Sequence, residues 1–120
     1  MPARTVGRIQ SRVAFAQLQR SRSRASCGPV RASFVPADAG QPGLYPQVGY
    51  AIGRQCGNAV IRNTLRRRMR ESARTVAPSL PSGSYLLRLE KAAAQTDPAR
   101  LAGYVHQALL RAGQSGQATA

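Results

Sequence analysis

Residues 48–73 read VGYAIGRQCGNAVIRNTLRRRMRESA, and the way they fold decides the rest of the chain. Val48, Tyr50 and Ile52 recur at every second position, the spacing of a strand with one buried side. After Gly57 the period changes. On a wheel of about 100° per residue, Ile61, Leu65, Met69, Ser72, Ala73 and Val76 share one arc. Arg62, Asn63, Arg66, Arg67, Arg70 and Arg74 fall in the next, and Arg68 lies on the other flank of the apolar stripe. The segment is an amphipathic helix that can sit on a sheet, not a disordered basic tail. Six of the nineteen residues from Cys56 to Arg74 are arginine and only Glu71 is acidic. Solvated helix faces normally mix signs, with acid–base pairs four residues apart. Here Arg62, Arg66, Arg70 and Arg74 form a ladder of like charge that weakens an isolated helix, so the face is expected to meet a polyanion.

The whole chain carries the same imbalance. Its 120 residues contain 18 basic and 4 acidic side chains, for a formal net charge of +14, and Lys91 is the only lysine. Arginine presents a planar fork of donors that grips phosphate at two points and stacks on bases. GC-rich coding explains arginine in place of lysine, but not the scarcity of carboxylates. The length suits one domain with a modest core. No apolar run reaches the length of a membrane span, and no hydrophobic signal segment opens the chain. The Arg- and Ser-rich N-terminus shares its composition with organelle transit peptides, but a folded cytoplasmic protein is the expectation. Cys27 and Cys56 lack metal-ligand spacing and are read as reduced thiols. His106 has no nucleophilic partner in sequence, and Asp38, Glu71, Glu90 and Asp97 are scattered. Neither a metal site nor a self-sufficient protein nuclease is expected, since hydrolysis needs clustered carboxylates or histidines.

Around the central segment the chain reads as helix, strand, strand, helix, strand, helix. Ser11 can cap a helix from Arg12 that carries Val13, Ala14, Phe15 and Leu18 and frays in the Arg/Ser repeat of residues 20–26. Residues 30–35 and 84–90 read as strands, with room for a short extra one near 24–29. Residues 38–47 are loop by their Gly and Pro content. Pro78 and Pro81 end the arginine helix. Asp97–Pro98 opens a last helix with Leu101, Val105, Ala108, Leu109 and Ala112 on one stripe. The expectation is an α+β two-layer sandwich, a small mixed sheet with helices, over residues 8–112, with flexible termini at 1–7 and 113–120.

Between a membrane surface and nucleic acid, the arginine helix favours nucleic acid. Membrane-surface helices bury bulky Leu, Phe or Trp, whereas this apolar arc is small to medium and suits a sheet. No helix-turn-helix partner, basic zipper or zinc finger accompanies it, so RNA fits better than DNA.

These residues also resemble a known family. VGYAIGRQCGNAVIRNTLRRRMRESA is similar to the signature of the bacterial ribonuclease P protein subunit: a strand ending in a basic residue, a Gly-Asn-Ala turn, then Ala-x-x-Arg-Asn-Arg-aliphatic-(Lys/Arg)-Arg-x-aliphatic-Arg. Ala59, Arg62, Asn63, Leu65, Arg66, Arg67, Met69 and Arg70 match in register, and RIQSRVAFAQL at 8–18 resembles the family's first helix. The resemblance implies a ribosomal-protein-like α+β fold with a left-handed βαβ crossover. It implies an accessory subunit of the holoenzyme that removes the 5′ leader from precursor tRNA, with Mg²⁺ and the catalytic centre in the RNA. Arg54, Asn58, Arg62, Asn63, Arg66, Arg67 and Arg70 would bind the catalytic RNA. A cleft beside the first helix, with Phe15, Phe34 and Tyr50 as candidates, would take the single-stranded leader. Each of these three aromatics has core packing as its alternative. The other function in view is a basic ribosomal or other structural RNA-binding protein. Two departures stand out. Thr64 takes the third place of the Arg-Asn-Arg triplet, and Leu18 and Gln19 stand where the family often has a second aromatic.

Overall fold

A computed structural model describes residues 12–21, 23–36 and 46–118, and the side chains of 16–21, 23–36 and 46–114. The expected Ser11 cap, the arm at 1–7, most of the 38–47 loop and the side chain of Phe15 lie outside the described residues. Helix α1 (Arg12–Arg20) leads into strands β1 (Ser23–Cys27), β2 (Val30–Pro36) and β3 (Gln47–Ile52). A single 3-10 turn (Arg54–Cys56) precedes α2 (Ala59–Val76), which is followed by β4 (Gly83–Leu89) and α3 (Pro98–Ala118).

The sheet runs β1-β2-β4-β3. β1 pairs antiparallel with β2, β2 antiparallel with β4, and β3 parallel with β4. The parallel pair is joined through α2, the crossover that parallel neighbours require. Alternation then gives the sheet two unlike faces. On one, Val30, Ala32, Phe34, Val48, Ile52, Tyr85, Leu87 and Leu89 are buried in a single cluster with Leu65, Met69, Ala73 and Val76 of α2 and the full α3 stripe of Leu101, Val105, Ala108, Leu109 and Ala112. On the other, Ser26, Arg31, Arg88 and Ala51 lie side by side across the four strands, followed by Arg24, Ser33, Leu86 and Gly49. Among the described elements only α1 crosses that face, packing on β2 and β4. Leu18 and Leu86 are both fully buried there, apart from the main core.

Three expectations change. The Arg/Ser stretch is not frayed helix but holds the extra strand for which residues 24–29 left room, an edge strand with Ala25 and Cys27 turned to the core. Ile61 is not in the core: the first turn of α2 overhangs the sheet, and Ile61 and Val60 are exposed. Helix α3 does not stop at the start of the expected flexible tail but continues to Ala118. Gly113 explains how the helix passes that point. A Cβ there would stand 2.9 Å from Pro81 and 3.0 Å from the Tyr85 hydroxyl, so the bare backbone lets α3 lie against the start of β4. The Tyr85 hydroxyl in turn donates to the Pro81 carbonyl at 2.7 Å.

Candidate nucleic-acid interface

The arginine helix starts where the backbone makes a turn that a side chain would oppose. Gly57 has φ 135°, and a Cβ on it would meet Ile61 at 3.0 Å, so glycine is required. Asn58 follows in extended conformation, and its Oδ1 accepts from the Ile61 N–H at 3.0 Å, capping the first turn. The Asn58 oxygen is thus committed to the helix; this residue sets the start of the surface before it can serve as a contact. No acidic residue occupies the first turn, which leaves the positive end of the helix dipole uncompensated beside Arg62.

Seated by Leu65, Met69, Ser72, Ala73 and Val76, α2 turns its arginines outward. Arg54, Arg67, Arg68, Arg70 and Arg74 are exposed, and Arg62 and Arg66 half-buried. Asn63 Oδ1 accepts from Arg66 Nη1 at 3.0 Å, which orients that guanidinium along the helix. The Arg62 Nε is shielded from solvent with no hydrogen-bond partner among the described residues. Thr64 donates its hydroxyl to the Val60 carbonyl at 3.0 Å. Its hydroxyl is spent on its own helix.

Tyr50 lies under the arginine arc at the free sheet edge. The Arg70 guanidinium carbon is 5.9 Å from its ring centroid, near the outer limit of a cation–π contact. Burial pushes the Tyr50 hydroxyl pKa up, with Arg70 and Arg74 opposing. Burial likewise raises the Cys56 thiol, which sits 3.6 Å from the Leu89 carbonyl and 3.5 Å from that of Glu90. It ties the turn before α2 to the end of β4 as an uncharged donor.

An open cleft of about 500 Å³ runs from the arginine helix round the end of β3 towards α1, lined among others by Arg66, Gln55, Tyr50, Ala51, Arg88 and Gln19. A narrower hollow of about 120 Å³ adjoins it on the open face, with Gln19, Arg24, Ser26, Arg31, Ser33 and Arg88 on its walls. Arg31 and Arg88 are direct cross-strand neighbours, an arrangement that repels. Glu90 relieves one of them, at 2.7 Å from Arg31 Nε. Such an exposed pair contributes little, so the face keeps its positive field.

Of the cleft aromatics expected from sequence, Tyr50 lines the cleft. Phe34 does not: it is 1% exposed and stacks on Tyr85 with ring centroids 4.5 Å apart. It belongs to the core, its phase matching Val30 and Ala32, and it offers no face to a base. Gln19 lines the cleft, while the adjacent Leu18 is buried. Sequence reasoning missed Arg31 and Arg88. Each is a lone charge between two apolar strand residues, a signal for an outward-facing site that went unused. His106 is half-buried on α3 with its Nε2 unpartnered among the described residues. Those residues contain no group of three or more His, Cys, Asp or Glu side chains able to hold a metal ion. No described helix is long and apolar enough to cross a membrane. What this geometry can do is hold a phosphate backbone and a single strand.

Both the sequence and the fold match known proteins. The Ribonuclease P family profile matches residues 4–113. The chain is 41% identical over 86 residues to the ribonuclease P protein component of Synechococcus sp., covering 71% of this chain and 65% of that one. It is 37% identical over 92 residues to that of Symbiobacterium thermophilum, covering 76% of each. The alignment thus spans just under two thirds of the first relative's length. The fold matches the RNase P protein from Thermotoga maritima with a TM-score of 0.73 at 21% identity, over 87% of this chain and 96% of that one. It matches the Staphylococcus aureus RNase P protein at 0.71 and 15%, over 88% and 94%.

Proposed function

The chain belongs to the ribonuclease P protein family, and on that premise we propose that it is the protein subunit of the ribonucleoprotein that removes the 5′ leader from precursor tRNA. Its partners in this reading are the catalytic RNA and the precursor tRNA, and its compartment is the cytoplasm. Arg54, Arg62, Arg66, Arg67 and Arg70 neutralise phosphates of the catalytic RNA, with Asn63 holding Arg66 in place and Asn58 setting the first turn. The leader lies in the cleft between α2 and α1, along Tyr50, Arg88 and Gln19. We assign the Mg²⁺ that would activate water to the RNA, as the family resemblance implies. This chain positions and neutralises; it performs no bond-breaking step.

The observation that carries this reading is one helix seated by its aliphatic side, whose uncompensated arginines give onto an open cleft. The test is reconstitution. Alone, the protein leaves precursor tRNA intact. With its cognate RNA at low Mg²⁺ it increases both the cleavage rate and the affinity for the leader-bearing substrate. A reconstitution without stimulation overturns the proposal.

A further inference from the structure

Helix α1 forms one wall of the groove. Among its described side chains only Leu18 is buried. A set of polar contacts gathers where it turns into β1. The Ser21 hydroxyl donates to the Phe34 carbonyl of β2 and accepts from the Ser23 N–H at 3.1 Å. Arg24 Nε donates to the Ser21 carbonyl at 2.7 Å, and its Nη2 donates to the Gln19 carbonyl. These carbonyls belong to the end of α1, where backbone acceptors lack helical partners and a cation is favoured. The planar guanidinium reaches both at once, which a lysine cannot do. Gln19, held through its own carbonyl, has its side chain on the wall of both the cleft and the narrower hollow.

Arg24 therefore differs from its neighbours on the open face. Arg31 pairs with Glu90 and Arg88 lines both hollows, whereas Arg24, on the wall of the narrower hollow, turns its Nε and Nη2 back onto the chain. We propose that Arg24 and Ser21 form a clasp that fixes the α1 wall, making Arg24 a positioning residue for leader binding that acts through the Gln19 and Ser21 carbonyls and not through a phosphate. The proposal rests on the leader reading above.

The test uses the reconstituted holoenzyme and two precursor tRNAs, one with a single-nucleotide leader and one with a leader long enough to cross the groove. The quantity read is the affinity advantage of the long leader. Arg24→Ala is expected to reduce it by about tenfold, the scale of one charge-assisted hydrogen bond, and Ser21→Ala, which removes the neutral hydroxyl bonds, by about threefold to fivefold. Affinity for the catalytic RNA and for the short-leader substrate stays unchanged. The slope of affinity against salt also stays unchanged, since neither variant removes a group that displaces counterions. Arg24→Gln, which keeps an amide donor without the charge, restores part of the advantage and keeps the test usable should Arg24→Ala fold poorly. A salt slope lowered by about 0.7 in Arg24→Ala, with no effect of Ser21→Ala, would make Arg24 a phosphate contact and overturn the clasp. Retention of the full advantage by both variants overturns it as well. A wild-type holoenzyme without any long-leader advantage overturns the leader reading itself, and is seen before a variant is measured.

Discussion

The two faces of the sheet are made by the same four strands and do opposite work. One is closed by α2 and α3 and carries Val30, Phe34, Tyr85, Leu87 and Leu89 at 3% exposure or less. The other is crossed by the short α1 and carries Arg24, Ser26, Arg31, Ser33 and Arg88. Burial on the first face drives folding. Self-repulsion on the second opposes it, and the protein tolerates this because the first face is complete. A sheet closed on one side only can devote the other to a ligand.

The sharpest way to break this contrast is to remove a side chain from each face. Leu87→Ala should destabilise the fold by about 2–5 kcal/mol, the range for emptying a buried leucine site, while Arg88→Ala next to it should stay within about 0.5 kcal/mol. Denaturant unfolding of the two variants decides it; equal losses would abolish the distinction. Arg62→Ala with Arg66→Ala tests the arginine helix. RNA affinity should fall by about 1.5–3 kcal/mol for each charged hydrogen bond removed, and the salt dependence should flatten by roughly 0.9 per phosphate released. An unchanged slope in a binding titration would remove α2 from the interface. Asn58→Ala should cost about 1 kcal/mol of stability through the missing cap, visible as a lower unfolding midpoint without any change in salt slope.

The smallest effect concerns pH. The Tyr50 pKa in the fold is raised above its ordinary value near 10 by burial. The fold therefore favours the protonated phenol. The stability this adds is complete below about pH 10 and is lost as pH rises through the folded value. Tyr50→Phe should lose stability less steeply than wild type above pH 10, and parallel alkaline curves would show that this ring does not sense its burial.

The element order and the arginine helix were legible because each was written as a periodicity. Strand neighbours were not: alternation reveals which residues share a face, but not that β4 stands between β2 and β3. β1 was hard to read because an edge strand of Arg and Ser alternates only weakly, through Ala25 and Cys27. Phe34 was misplaced by attention to its ring type when its phase already put it with Val30 and Ala32. Ile61 shows the reverse limit. The wheel gave its direction correctly, but no wheel tells where the sheet beneath a helix ends. The groove combined residues from α1, β1, β2, β3, β4 and α2, and Tyr50, its aromatic among the described residues, was picked out beforehand. Family resemblance added the partner, which no periodicity contains.

The strand order also sets a timetable. β1 and β2 can close as a hairpin across Gly28–Pro29 as soon as both exist. β3 has no hydrogen-bonded neighbour until β4 arrives, and β4 begins only after α2 has been made. During synthesis the arginine helix therefore leaves the ribosome before the strand that completes its floor, exposing its aliphatic side and its full charge together. Pairings so distant along the chain are slow to form. The last strand inserted is the one that joins the two halves, so the seat of the arginine helix and the groove beside it are completed by the same strand.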